Sequence, residues 1–260
     1  MGFAFTRHQG SIILVLCFVA FLAGIAGSLQ APFYPKEASD KGVSKTHVGM
    51  VFAIYHFTIF ASSPFFGKYH RNIGIKRMIY TGIIIMGSCA IGFGLLDLIQ
   101  NSDLFIFLSY FIRGIEALGH SSFKTATFAM VAKEFPETIA LLYASLQASF
   151  GAGLTLGPFI GALLYNAGGF FLPFAVTGSL IIISSMMTYL ILPSYSNESF
   201  TGNAEHVSNK GIMDILKVPD IFLQAVSTLG ATIAIGFLQA TLRNHIDQFK
   251  LSDASIGIIV

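Results

Sequence analysis

Long charge-free stretches alternate with short polar ones along the whole chain, and their lengths are those of membrane spans. A helix crossing about 30 Å of hydrocarbon needs roughly 20 mostly apolar residues. Seven segments meet that requirement. They run from Ser11 to Ala31, from Val48 to Gly67, from Met78 to Leu96 and from Leu104 to Val131, with two more between Glu137 and Glu198 and a last from Ile221 to Leu242. The two in the charge-free interval are predicted to part at Asn166-Ala167-Gly168-Gly169, where paired glycines permit a tight reversal. The first segment is predicted to be a retained helix. Its apolar run is too long for a signal peptide, and it leads into Pro32 and Pro35 rather than a small-residue cleavage site.

Tyr195 to Val218 is the longest polar stretch and divides six helices from the remainder of the chain. The predicted layout is therefore a six-helix transmembrane half over 1–194, a cytoplasmic loop over 195–218, and the start of a second half over 219–260. That last part holds helix 7 and, in Ile256-Gly257-Ile258-Ile259-Val260, the first turn of helix 8, so the sequence looks truncated. Two six-helix halves joined by a long cytoplasmic loop is the layout of a transporter. A seven-helix receptor is the alternative, and it would place the N-terminus outside.

Composition agrees with the spans. Hydrophobic residues make up 54% of the chain and charged residues 11%, against about 25% charged in a soluble domain. Mean hydropathy is +0.72. The fold class expected is all-α, a polytopic membrane protein with the lipid bilayer as its surroundings. The net charge of +2 is too small and too dispersed for a nucleic-acid partner. Cys17 and Cys89 both lie in apolar runs and read as buried thiols. No spacing suggests a metal site, phosphate loop or catalytic triad, so neither a cofactor nor an enzymatic activity is expected.

Lys and Arg in the short connections set the orientation. Arg7, Lys68, Arg71, Lys76, Arg77, Lys133, Lys210 and Lys217 fall on one side, and Lys36, Lys41, Lys45, Arg243 and Lys250 on the other. The excess places the N-terminus in the cytoplasm. The sequon Asn197-Glu198-Ser199 then lies on the cytoplasmic side and stays unmodified.

The fourth segment carries the chemistry. Arg113, Glu116, His120 and Lys124 are spaced by three, four and four, which puts them on one helix face. Each ionisable group at membrane depth costs at least about 2.5–3.5 kcal/mol, so the stripe must line a water-filled cavity or pair internally. One reading has Arg113 and Glu116 merely neutralising each other while Lys124 snorkels to the headgroups. The other is a substrate or proton pathway. A carboxylate beside an arginine can exchange its proton as its hydration and pairing change between states. His56 in the second segment is either a packing residue or a proton carrier, and Gln30 and Gln239, near the outer ends of helices 1 and 7, are candidate cavity groups.

Gly153, Gly157 and Gly161 recur every four residues in the fifth segment, a smooth strip for close helix approach. Pro158 removes a hydrogen bond from the same helix and is expected to bend it. These glycines are not a dinucleotide fingerprint, since no strand precedes them. Gly67, Arg71, Gly74 and Lys76 mark a short basic linker between helices 2 and 3, which alone is no more than an orientation signal.

Taken together, that linker, the run Arg113-Gly114-Ile115-Glu116-Ala117-Leu118-Gly119 and the helix 5 pattern Gly153, Gly157, Pro158, Gly161 resemble the motifs of the major facilitator superfamily. The helix 5 pattern is similar to the motif typical of its proton antiporters, where it serves as hinge and packing surface. Ala31 to Ala38, Val131 to Pro136 and Ile191 to Pro193 resemble solute carrier family 18, the vesicular amine transporters, and most closely their vesicular polyamine branch. The resemblance implies exchange of lumenal protons for a cytosolic polyamine across an acidic vesicle membrane by alternating access. The plasma membrane is the other compartment to consider. Arg113 matches the family's helix 4 arginine, which takes part in proton coupling. The expected partners are therefore a small-molecule substrate and protons, with the C-terminal half of the same transporter beyond this chain.

Three departures bear on that expectation. Arg71 stands where the linker motif usually has an acid. No aspartate lies around Ala23 and Gly24, where vesicular monoamine transporters carry one, which argues against monoamines. Gln239 stands where relatives often have an acidic residue. Glu116 is thus the one deep carboxylate, and the stripe sums to +1 with histidine neutral. A polycation then needs acids from the second half. Export of a drug-like or anionic solute is the alternative within transport, and a short non-transporting product is another.

Overall fold

Thr6 opens the first helix. Its hydroxyl accepts from Gln9 N at 3.2 Å while the Gln9 side chain accepts from Thr6 N at 3.1 Å, a reciprocal cap that satisfies donors a helix start leaves open. From there the computed structural model describes residues 6–193. It also describes, nearer the C-terminus, the helical residues Pro219, Leu223, Val226, Ser227, Gly230, Ala234, Gly236 and Phe237. The order is α1 (Arg7–Asp40), α2 (Lys45–Ile73), α3 (Ile75–Gly94), a 3-10 turn (Leu95–Leu98), α4 (Ser102–Glu134), α5 (Ile139–Gly168) and α6 (Phe171–Ile191). The inter-half loop, Gln239 and the start of helix 8 lie outside the described residues, as does most of helix 7.

Among the described residues, five of these six helices are long and apolar enough to cross a membrane. The exception, α4, spans 33 residues; its charged and polar residues, seven of them buried (Ser109, Arg113, Glu116, His120, Ser121, Ser122 and Thr127), keep it out of that group. Large apolar side chains such as Phe57, Phe60, Phe107, Ile183 and Leu190 point outward. An outward apolar surface, with the charged groups turned into the bundle, is what a multi-pass membrane protein presents to lipid.

The packing repeats with an offset of three helices. Helix α1 packs on α5 and α6, α4 packs on α2 and α3, and α3 meets α6. Three spans are an odd number, so the second triplet runs opposite to the first. Paired glycines allow the closest approaches. A Cβ on Gly82 of α3 would lie 2.6 Å from the Gly119 carbonyl of α4, and one on Gly178 of α6 would lie 2.6 Å from the Gly87 carbonyl of α3.

The ends of the helices differ from the sequence expectation in instructive ways. The apolar run of helix 1 predicts a stop at Ala31, yet α1 continues through Pro32 and Pro35 to Asp40. Aromatic packing holds the extension: Phe33 stacks on Tyr165 at 4.8 Å, and Tyr34 stacks on Phe105 at 5.7 Å and tilts against Phe93 at 5.2 Å. Such packing offsets the backbone bonds that proline removes. Lys41 then ties the end down. Its ammonium donates to the carbonyls of Asp97 at 2.9 Å and Ile99 at 2.7 Å and pairs with Glu37 at 3.1 Å. This lysine clamps the end of α1 to the 3-10 turn that precedes α4.

The linker from Gly67 to Lys76 is also corrected. Helix α2 runs on to Ile73, carrying Gly67 and Arg71 inside it, and Gly74 alone makes the turn. Its φ of 93° lies in the region glycine tolerates and other residues do not. Lys76, now in the first turn of α3, places its ammonium 4.6 Å from the Tyr189 ring centre. The reversal between α5 and α6 is likewise shorter than expected. Helix α5 includes Asn166 to Gly168, and Gly169 with φ of 69° makes the break. Cys17 and Cys89 are free thiols, half-buried rather than buried.

Candidate functional site

Extension of α1 moves Gln30 from a helix end to ten residues inside one, about 15 Å by helical rise. It is 1% exposed and lies beside the Glu116 carboxylate of α4. The outer-end position expected for Gln30 is therefore wrong, because proline did not end the helix.

Helix α4 starts under an Asn101 cap, whose Oδ1 accepts from Asp103 N and Leu104 N at 3.0 Å each. Three to four turns further on, the charged stripe turns into the bundle. Arg113 is 1% exposed and Glu116 2%. Arg113 Nη1 donates to Glu116 Oε2 at 2.8 Å, which makes a buried i,i+3 ion pair. Arg113 Nε and Nη2 have no hydrogen-bond partner among the described residues. One face of the guanidinium is covered by the Tyr55 ring of α2, with Cζ 3.8 Å from the ring centre. In such surroundings a cation–π contact is worth roughly 2 kcal/mol.

Tyr55 also reaches His120. Its hydroxyl lies 2.9 Å from Nδ1, and the imidazole tautomer sets which of the two donates. The His120 ring meets the Phe150 ring of α5 edge-on, with centroids 5.5 Å apart. Beyond His120 a cavity of about 20 Å3 opens between α1, α4 and α5, enough for a water molecule. His120, Lys124, Thr127 and Gln147 give it polar walls, and Phe123 and Phe150 give it apolar ones. Lys124 extends one turn toward the C-terminal end of α4. Its ammonium sits 5.9 Å from the Phe128 ring centre, on the cavity's edge.

Helix α2 is tied to α4 at two other levels. His47 Nδ1 lies 2.9 Å from the Tyr110 hydroxyl, and Ser63 Oγ lies 3.1 Å from Ser121 Oγ. His56 is half-buried, edge-on to Tyr55 at 5.4 Å. It also faces Gly236, where an added Cβ would come 3.6 Å from His56 Cδ2. This is how the described part of helix 7 approaches the site.

The glycines of α5 are placed against α1. A Cβ on Gly153 would meet the Phe21 carbonyl, one on Gly157 the Ser28 hydroxyl, and one on Gly161 the Leu29 side chain. Pro158 is buried in the same face, and α5 is continuous through it. Among the described residues no group of three His, Cys, Asp or Glu is arranged to hold a metal.

The structure thus gathers Arg113, Glu116, His120 and Gln30 at one place, with Lys124 and His56 at its margins. The sequence reading missed Tyr55, Ser63 and Ser121. Tyr55 left a usable signal. A phenol in the middle of an apolar helix must find a hydrogen-bond partner, and His120 was the nearest unassigned one on the polar stripe.

Residues 16–260 match the family model of the Major Facilitator Superfamily. The chain is 34% identical over 233 residues to MFS-type transporter SLC18B1 of Mus musculus, covering 89% of this chain and 50% of the relative. Its identity to the Homo sapiens protein of that name is 30%, over 98% of this chain and 54% of the relative. Multidrug resistance protein MdtG of Escherichia coli is 26% identical across 95% of this chain and 60% of its own length. The chain therefore spans about half the length of the SLC18B1 relatives that it matches. The chain belongs to the Major Facilitator Superfamily, a family of multi-pass membrane transporters and not of enzymes.

Proposed function

We propose that the full-length protein exchanges protons for an organic cation, a polyamine first, by alternating access across an acidic vesicle membrane. One observation carries the reading: a carboxylate and a guanidinium, 2% and 1% exposed, are paired at 2.8 Å in the middle of a membrane helix. Several kcal/mol are needed to bring each ion there. A purely structural pair is replaceable by apolar residues at little cost, whereas a proton carrier must keep its carboxylate. Glu116 holds the proton in one state; in the other it gives the proton up to water on the open side, and the resulting carboxylate pairs with Arg113. His120, His56 and Gln30 line the path, and Gly157 with Pro158 shapes α5 against α1.

The polyamine assignment rests on the resemblance to the vesicular polyamine branch, and similarity to SLC18B1 of mouse and human supports that family. The N-terminus is assigned to the cytoplasm by the loop charges. A second reading, export of an anionic or drug-like solute, is favoured by the cavity edged by Lys124 and His120 and by similarity to MdtG.

Spermidine uptake into proteoliposomes with an acidic interior tests the first reading, with this chain and a full-length form measured side by side. Uptake by the full-length form that collapses with the pH gradient is the expected result. No uptake under a verified gradient overturns the polyamine assignment and directs the same vesicles to anions.

A further inference from the structure

Tyr55 contacts two members of the polar stripe, Arg113 and His120, from a neighbouring helix. Its ring covers Arg113 at 3.8 Å and its hydroxyl lies 2.9 Å from His120 Nδ1. The residue is 5% exposed. Arg113 uses one nitrogen for Glu116 and leaves Nε and Nη2 without a hydrogen-bond partner among the described residues. The ring is therefore what restrains the rest of the guanidinium. From these contacts we infer that Tyr55 is the positioning residue of the coupling pair. It holds the guanidinium against Glu116 through its ring and fixes His120 through its hydroxyl, and it makes α2 the element whose movement opens the pair. This inference rests on the proposal that Glu116 carries the proton.

The two functions of one side chain separate in chemistry. Tyr55→Phe keeps the ring on Arg113 and releases His120. Tyr55→Leu releases both. Among the described residues, the other titratable groups coupled to the pair are His120 on α4, Tyr34 on α1 and Cys89 on α3, with Lys124 and His56 acting on His120, and all remain in both variants. A difference between the variants is then assigned to the ring.

The readout is the pH midpoint of spermidine exchange by the full-length protein in proteoliposomes. Tyr55→Leu is expected to shift it by about one pH unit, the scale that a desolvated cation–π contact supplies, and Tyr55→Phe to leave the midpoint in place while slowing exchange. A second measurement needs no transport. Thermal unfolding of Tyr55→Leu, Glu116→Gln and the double variant should be non-additive, because the ring acts on the carboxylate through Arg113. An unmoved midpoint in Tyr55→Leu, or additive unfolding, overturns the inference. Should Glu116→Gln keep the wild-type pH profile while unfolding stays non-additive, the proton-carrier reading fails and the placement of Tyr55 stands.

Discussion

Helices α5 and α2 hold equivalent positions in the two triplets, one packed on α1 and the other on α4, but their seams are built from opposite materials. On α5 the contact is glycine: Gly24 and Gly153 let two backbones touch, and the seam continues through Gly157 and Gly161. On α2 the contact is polar. His47 with Tyr110, Tyr55 with His120 and Ser63 with Ser121 form a ladder of side-chain hydrogen bonds. A seam of touching backbones depends on shape and has no preferred protonation state. The bonded seam is directional and contains groups that titrate. In lipid, where apolar burial does not drive helices together, a protein needs both kinds of contact, and here it assigns them to different halves of one repeated plan. The pair proposed to couple protons sits on the bonded side.

The comparison breaks most visibly at Glu116. Replacement by alanine leaves Arg113 buried and unpaired, and a loss of roughly 3–5 kcal/mol is expected on the scale of broken buried ion pairs. Thermal unfolding of the full-length protein in detergent measures it, and Glu116→Gln should lose distinctly less because an acceptor remains. A loss no larger than that of the glutamine variant would mean that the pair does not hold α4 in place.

On the glycine side the expected effect is intermediate. A methyl group on Gly153 meets the Phe21 carbonyl, and overpacking of this kind costs roughly 1–3 kcal/mol. Gly151 sharpens the test, since an added Cβ there meets nothing within 4 Å. Gly151→Ala should leave the melting temperature unchanged or raise it slightly, while Gly153→Ala lowers it. Equal effects at both would show that the seam is not set by backbone contact.

The smallest effect is expected within the bonded seam itself. Interhelical side-chain hydrogen bonds in membrane proteins average about 0.6 kcal/mol, so Ser63→Ala should lower stability by no more than about 1.7 kcal/mol. Substitution at Ser63 in the same unfolding assay checks this. A loss above that of Gly153→Ala would reverse the ranking of the two seams.

Much of this was legible in the order of residues. The six long helices up to α6 were visible as segments, five of them apolar enough to cross a membrane, and the face shared by Arg113, Glu116 and His120 followed from helical spacing. The glycine strip of α5 was visible for the same reason: a period of four is a local property. Features set by partners elsewhere in the chain were not. The apolar run predicted the end of helix 1 at Ala31, and only the rings of Phe93, Phe105 and Tyr165, more than fifty residues away, explain why α1 continues. The same extension carried Gln30 into the site. Lys41 has the sequence signature of an orientation charge, and only the carbonyls of Asp97 and Ile99 around its ammonium reveal the clamp. Tyr55 was passed over because its importance lies in two contacts made across helices.

The central claim is that Glu116 carries the proton rather than merely holding the fold. Spermidine movement by full-length Glu116→Gln in proteoliposomes tests it directly, measured once as uptake driven by an acidic interior and once as exchange at equal pH. A neutral side chain cannot release a proton but can still reorient with substrate bound, so the account predicts exchange preserved and gradient-driven uptake lost. Gradient-driven uptake that survives the substitution would contradict it.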